Sequence, residues 1–244
     1  MSVDEKKSEK KPIRKKAGTS RGMLCEELNF ASKEAFKRLR TNVMMALSDG
    51  TEECRIIGVT SAQPSEGKST ISVNLAYSIA ELGKRVLLVD ADLRRPSIHQ
   101  KLGIEHAPGL SNLLHTTKVI STTIQRYKSQ KDETGFDVIP VGDEIDNPSE
   151  LLESNRMGTL LKLLANAYEY IIIDLPPVGA VIDAVPVSKL TNGMLVAIRE
   201  NNCPRGVFSD CIEQLKLAKV NILGFVVNGA LEGAGKRYQY GYYN

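Results

Sequence analysis

Paired cysteines are the first thing this chain lacks. Cys25, Cys54, Cys203 and Cys211 show no C-x-x-C spacing and no metal-ligand grouping with the three histidines, so neither a disulfide scaffold nor a zinc or iron–sulfur centre is indicated, and the four read as reduced cytosolic thiols. No run of about twenty apolar residues occurs, and the amino terminus carries no apolar secretory core. Neither a membrane span nor export is therefore expected, and any membrane association is left to a partner or to the basic arm. Basic and aromatic residues do not interleave, which argues against nucleic acid as a partner. No internal repeat or low-complexity core is evident.

What charge there is lies unevenly. Residues 1–21 hold eight Lys or Arg against Asp4, Glu5 and Glu9, a net +5, and since the whole chain is formally +3 the remainder is mildly acidic at −2. Such an apolar-poor arm, residues 1–29, is expected to be disordered, solvated or drawn to an anionic leaflet or acidic partner. The 244 residues leave room for one large α/β domain, placed at residues 30–228, followed by a flexible tail at 229–244.

Within that domain, apolar segments at Arg55–Thr60, Val86–Ala91, Asp137–Val141, Tyr170–Leu175, Met194–Arg199 and Ile222–Asn228 alternate with helical patterns at Lys68–Leu82, Arg156–Tyr168, Val185–Leu190 and Arg205–Ala218, with shorter helical pieces between Ile98 and Tyr127. An amphipathic helix over Lys33–Leu47, capped by Ser32, precedes them. Strands apolar nearly throughout are buried on both faces, which predicts a mostly parallel sheet with helices on either side. With SEGKST following the first strand as a phosphate-binding loop, the expected fold is P-loop NTPase-like.

The segment Arg55–Thr70 runs strand, loop and helix in the order a phosphate-binding loop requires. Ser65, Glu66, Gly67, Lys68, Ser69 and Thr70 are the predicted nucleotide contacts: successive backbone N–H groups and the positive end of the helix face phosphate oxygens, Lys68 adds a point charge, and the Ser69 hydroxyl is placed to ligate Mg²⁺. Two glycines of the full pattern are missing, with Ala62 six residues before the lysine and Ser65 where glycine relaxes a tight turn. Ligands of such sheets bind beyond the carboxyl ends of the strands. There the chain offers Asp90 and Asp92 after one strand and Asp174 after another. Asp92 and Asp174 are assigned to Mg²⁺, and Asp90 to orienting or deprotonating an incoming hydroxyl, with turn capping as the competing role for either Asp90 or Asp92. Lys68, Asp90, Asp92 and Asp174 are thus the catalytic candidates, with Arg94 or Arg95 as a supplement or simply as surface charge.

Tyr238, Tyr240, Tyr242 and Tyr243 crowd the end of the chain, after the Gly-rich stretch Gly229–Gly235. With these tyrosines and the motifs before them, the chain resembles the bacterial tyrosine kinases of capsular and exopolysaccharide synthesis, of the separate cytoplasmic type: SAQPSEGKST looks like the family's Walker A loop, VLLVDADLRRP its A′ motif, YIIIDLPP its Walker B motif, and Asn147–Leu152 another family stretch. The resemblance implies ATP and Mg²⁺ as cofactors and autophosphorylation of the terminal tyrosines, between subunits. It implies a transmembrane adaptor guiding polysaccharide chain length as activator, and a cytoplasmic enzyme recruited by it to the membrane's inner face. A homo-oligomeric ring that forms and dissociates is implied too, with a cognate tyrosine phosphatase and polysaccharide-synthesis enzymes as further partners. Asn228 matches the position that reads adenine, with a turn before Gly229 as its other reading. The ring-contact motif falls on Glu34, Lys37, Arg38 and Arg40, with lysine where the family's first arginine stands and the bidentate fork therefore lost. Competing functions are a partitioning or division-site ATPase switch, whose signature lysine is replaced by Gln63, and a nucleotide-sensing subunit without kinase activity.

Overall fold

The computed structural model describes residues 24–115, 121–179, 184–200 and 202–229. Seven strands form one sheet: β1 Arg55–Ser61, β2 Val86–Asp90, β3 Gln125–Lys128, β4 Gly135–Ile139, β5 Tyr170–Asp174, β6 Gly193–Arg199 and β7 Ile222–Asn228, in the order β3-β4-β2-β5-β1-β6-β7. All neighbours are parallel except β3 and β4, a hairpin that adds one antiparallel edge. The helices are α1 Phe30–Ala46, α2 Lys68–Ala80, α3 Ile98–Leu102, α4 Leu110–His115, α5 Pro148–Glu153, α6 Asn155–Ala165, α7 Ala184–Ser188 and α8 Arg205–Leu217.

Two cores sandwich the sheet. One holds α1, α2 and α3 against Ile57, Val59, Val86, Leu88 and Ile172; the other holds α4 to α8 against Leu87, Val89, Ile171 and Ile173. Side chains along a strand alternate between faces, so Leu87 and Leu88 serve different cores although both are fully buried. The predicted parallel sheet with helices on both faces is observed. α2 is buried at every position but Thr70: apolar residues fill most of its surface, and its buried polar groups, Lys68, Ser69, Ser72, Asn74 and Ser78, include those that face the site.

Several boundaries move. β3 was not expected from the sequence: its residues alternate between half-buried and exposed, so Gln125, Arg126 and Lys128 mask an edge strand. β4 begins two residues earlier than the apolar run over Asp137–Val141. α1 starts at Phe30, capped by Asn29, whose Oδ1 accepts from the Ser32 N–H at 2.8 Å; Ser32 is a donor to the cap and not the cap itself. α2 stops at Ala80, leaving Leu82 half exposed before Gly83, which adopts a φ of 74°. The arm drawn at residues 1–29 yields its last six residues to the folded body. Leu24 and Cys25 are buried, the Cys25 N–H donates to Asn74 Oδ1 at 2.6 Å, and Tyr127 Oη donates to Glu26 at 2.9 Å. All four cysteines are free. No helix among the described residues is long and apolar enough to cross a membrane.

Candidate functional site

The alternation of strand side chains builds the site. Asp90 has the parity of Val86 and Leu88, and Asp174 that of Ile172, so both carboxylates leave the sheet on the face covered by α2. They are also register partners on the adjacent strands β2 and β5. Lys68 opens α2 directly above them. Its Nζ lies 2.8 Å from Asp92 Oδ2 and 3.2 Å from Asp174 Oδ2, and it donates to Ser69 Oγ at 3.2 Å. Ser72 Oγ, one turn further along α2, lies 3.0 Å from Asp174 Oδ1 and 2.9 Å from the Lys68 carbonyl, with one proton to share between them.

Three carboxylates therefore face one ammonium, all in buried surroundings. Burial pushes the Asp90 carboxyl up, repulsion from Asp174 adds to that, and Lys68 opposes both. Asp174 is also raised, again by burial first, against the pull of Lys68. For Lys68 burial works to lower the ammonium, but Asp174 and Asp92 outweigh it and hold the pKa above its ordinary value. The lysine is a fixed cation, and the surplus of negative charge around it suits a second one.

The aspartates divide their oxygens between the backbone and the cleft. Asp92 Oδ1 accepts the Arg95 N–H at 2.9 Å, leaving Oδ2 for Lys68. Asp90 accepts the Asp92 N–H at 3.3 Å on one oxygen and the Ile98 N–H at 3.2 Å on the other, which ties the turn after β2 to the start of α3. Both hold the turn, as its competing reading anticipated, and both stand beside Lys68. Arg95 is exposed, and Arg94 donates to Ser149 Oγ at 3.1 Å, linking this turn to α5.

The loop before α2 is strained where the sequence departs from glycine: Ser65 has a φ of 66°, a left-handed conformation costing a side-chain-bearing residue about 1–2 kcal/mol. Glu66 is fully buried. Its Oε2 accepts the Gln63 N–H at 2.9 Å, while Oε1 meets no hydrogen-bond donor among the described residues. Asn228 at the end of β7 donates its Nδ2 to the Glu66 carbonyl at 3.1 Å, and Arg199 Nη1 reaches the Ser65 carbonyl at 3.4 Å. The family resemblance marks Asn228 for adenine, and the sequence reading passes over this loop tie, Ser72 and Arg199. Helical spacing alone carried the Ser72 signal, four residues after Lys68.

Gly67 is held by that tie. At a φ of 93°, a Cβ there would lie 2.0 Å from Asn228 Nδ2. Gly67→Ala is expected to cost at least tenfold in nucleotide affinity, from the sum of clash and left-handed strain. Isothermal titration with ADP checks this, and an unchanged affinity would mean that the loop yields freely.

Among the described residues no three His, Cys, Asp or Glu side chains form a metal cage. Mg²⁺ does not require one, since it is commonly held by one or two carboxylates together with substrate phosphates and water. The hard oxygens of Ser69, Asp92 and Asp174, gathered with net negative charge, fit that ion.

The proposed ring-contact residues lie on α1. Glu34 and Lys37 pair with each other at 2.8 Å, and Arg38 is exposed. Arg40 turns inward, donating to the Ser78 carbonyl and lying 3.6 Å from Glu81, so that it clamps α1 to α2. The tail tyrosines Tyr238, Tyr240, Tyr242 and Tyr243 lie outside the described residues.

Comparison with known proteins places this geometry. The family model described as an AAA domain matches residues 54–219. The tyrosine-protein kinase YwqD of Bacillus subtilis is 34% identical over 86% of this chain and 85% of its own length. The tyrosine-protein kinase etk of Escherichia coli is 36% identical over 85% of this chain, which spans only 28% of that longer protein. The solved kinase domain of E. coli ETK superposes with a TM-score of 0.76 at 36% identity, covering 86% of this chain and 80% of that one. The septum site-determining protein MinD of Pyrococcus horikoshii, solved with Mg-ADP, has a TM-score of 0.59 at 24% identity, a likeness of fold alone.

Proposed function

Because this chain belongs to the family of bacterial tyrosine-protein kinases, we propose that it transfers the γ-phosphoryl group of ATP to tyrosines of its own carboxyl-terminal cluster, between subunits. We propose further that a membrane adaptor of polysaccharide synthesis and export recruits and activates it. The observation that carries the reading is the meeting of Lys68, Asp90, Asp92 and Asp174 at the opening of α2.

In this reading the backbone N–H groups of residues 65–70 and the amino end of α2 cradle the phosphates of ATP, and Lys68 sets a positive charge against them. Mg²⁺ bound through Ser69, Asp92 and Asp174 supplies charge neutralisation for the phosphates. The phenol oxygen of the acceptor tyrosine forms the new P–O bond as the bond to the β-phosphate oxygen breaks, ADP departs, and Asp90 orients the phenol or takes its proton. Loose transition states of this kind need position and charge more than covalent help. ATP and Mg²⁺ are thereby the substrate and cofactor assigned to the site.

The test uses the full chain, Mg·ATP and the soluble cytoplasmic segment of the adaptor, with phosphotyrosine located by mass spectrometry. Replacing Tyr238, Tyr240, Tyr242 and Tyr243 together by Phe is expected to abolish self-labelling. That variant should still label the tail of an added Lys68→Met chain. Full self-labelling after the four replacements would remove the tail from the reaction, and failure to label the added chain would remove the intersubunit route.

A further inference from the structure

A groove of about 510 Å³ opens beside the catalytic turn, between the end of α4, the loop after β4, and α5 and α6. Its apolar lining comes from Leu114, Ile145 and Leu151, and its rim from Glu144, Asp146 and Glu150, all three exposed. Arg156 also lines it, its guanidinium braced on the carbonyls of Leu114 and His115 at 2.8 and 2.9 Å, and His115 stands exposed beside it, so three carboxylates outnumber one fixed cation and the lining is acidic on balance. The bond from Arg94 to Ser149, the residue before Glu150, ties the α5 wall of the groove to the turn carrying Asp92.

The chain contains a segment of complementary chemistry. Lys236 and Arg237 immediately precede Tyr238, the first of the terminal tyrosines, and they are the only basic residues after Lys219. We propose that this groove is a specificity subsite that binds the Lys236-Arg237 pair of a second copy, so that the tyrosine following the pair is delivered to Asp90 and Lys68. The proposal rests on the tail being the phosphoryl acceptor. Acidic rim groups meeting a dibasic pair set orientation and partner choice, and the apolar floor accommodates the aliphatic stems.

Topology selects the second copy over the chain's own tail. β7, which ends at Asn228, stands five strands from β4, about 24 Å at ~4.8 Å per strand. Lys236 lies eight residues beyond Asn228, a reach of about 26–29 Å when fully extended, little more than the width of sheet to be crossed. An intramolecular path would need a taut segment lying across the phosphate loop, leaving little slack to enter the groove. A neighbouring molecule has no such limit.

The experiment uses the full chain bearing the four tail Tyr→Phe replacements as enzyme, and synthetic peptides of residues 232–244 as acceptors, either native or with Lys236→Glu and Arg237→Glu. The native peptide is expected to have a KM about tenfold lower at similar kcat. Glu144→Gln with Glu150→Gln should narrow that gap, and Glu144→Lys with Glu150→Lys should reverse it, restoring the glutamate peptide. The reversal is an outcome that misfolding cannot produce. Equal KM values for the two peptides with the parent enzyme, or a preference unmoved in both rim variants, would overturn the subsite. Labelling of the intact parent chain at a rate independent of its concentration would overturn the second copy as occupant. If neither peptide nor an added Lys68→Met chain is labelled, the acceptor assignment itself fails and the subsite falls with it, a result distinct from equal labelling of both peptides.

Discussion

Lys68→Met is expected to reduce phosphotyrosine formation by on the order of 10²–10³-fold or more, the scale for loss of a preorganised charge at a developing anion. The geometry adds a second consequence. Lys68 is the cation shared by Asp92 and Asp174, both buried, and methionine leaves those carboxylates with no compensating charge from this position. The carboxyl of Asp174 is already raised by burial in the presence of the lysine, and removing the lysine raises it further. A carboxyl whose folded pKa exceeds its unfolded value carries no penalty at low pH, where it is protonated in both states, and destabilises the fold as pH rises and the unfolded chain ionises first. The melting-temperature deficit of Lys68→Met relative to the parent should therefore be smaller near pH 5 than near pH 8. Scanning fluorimetry across that range, alongside the kinase assay, tests both claims. A deficit that shrinks toward alkaline pH would show that Lys68 is not the counter-charge of this cluster.

Asp90→Asn separates chemistry from binding. Transfer is expected to fall about 10²–10⁴-fold, the usual range for a positioned acid–base group, while ADP affinity stays within about threefold because no phosphate contact is assigned to Asp90. The structural cost has two opposing parts. Asparagine cannot accept both the Asp92 and Ile98 N–H groups as the carboxylate does, and one unpaired donor costs about 1–3 kcal/mol. Against that, replacing a carboxylate by a neutral amide relieves the repulsion with Asp174 that raises its pKa. The two largely offset, so a melting temperature near that of the parent is expected. Single-turnover kinetics with ADP calorimetry decides the matter. Unchanged turnover would confine Asp90 to holding the turn onto α3.

Much of this architecture was legible in the chain itself. Fully apolar strands and the Gly67-Lys68-Ser69 turn announced a parallel sheet with a phosphate loop, because burial on both faces and convergence of backbone N–H groups leave direct marks on residue choice. Six of the seven strands read as apolar runs, although β7, an edge strand, has no buried residue and leaves Phe225 and Val227 exposed, so its run does not mark burial on both faces. β3, at the other edge, showed no such run, since an edge strand is half solvated and its polar residues read as loop. The cap of α1 falls at Asn29 and not Ser32: both are good capping types, and only the backbone, extended at Asn29 and helical from Phe30, settles which one accepts.

The sequence by itself determined which side chains could act: one lysine after a glycine, and aspartates at the ends of two buried strands. It could do so because strand periodicity and loop chemistry are local. Tertiary structure decided what those groups do to one another, pairing Asp90 with Asp174 in register, setting Lys68 between Asp92 and Asp174, and bringing Asn228 across 162 positions to the Glu66 carbonyl. Such contacts depend on strand order and crossover, which no local pattern encodes, and the sharing of one buried ammonium among several carboxylates follows from packing alone.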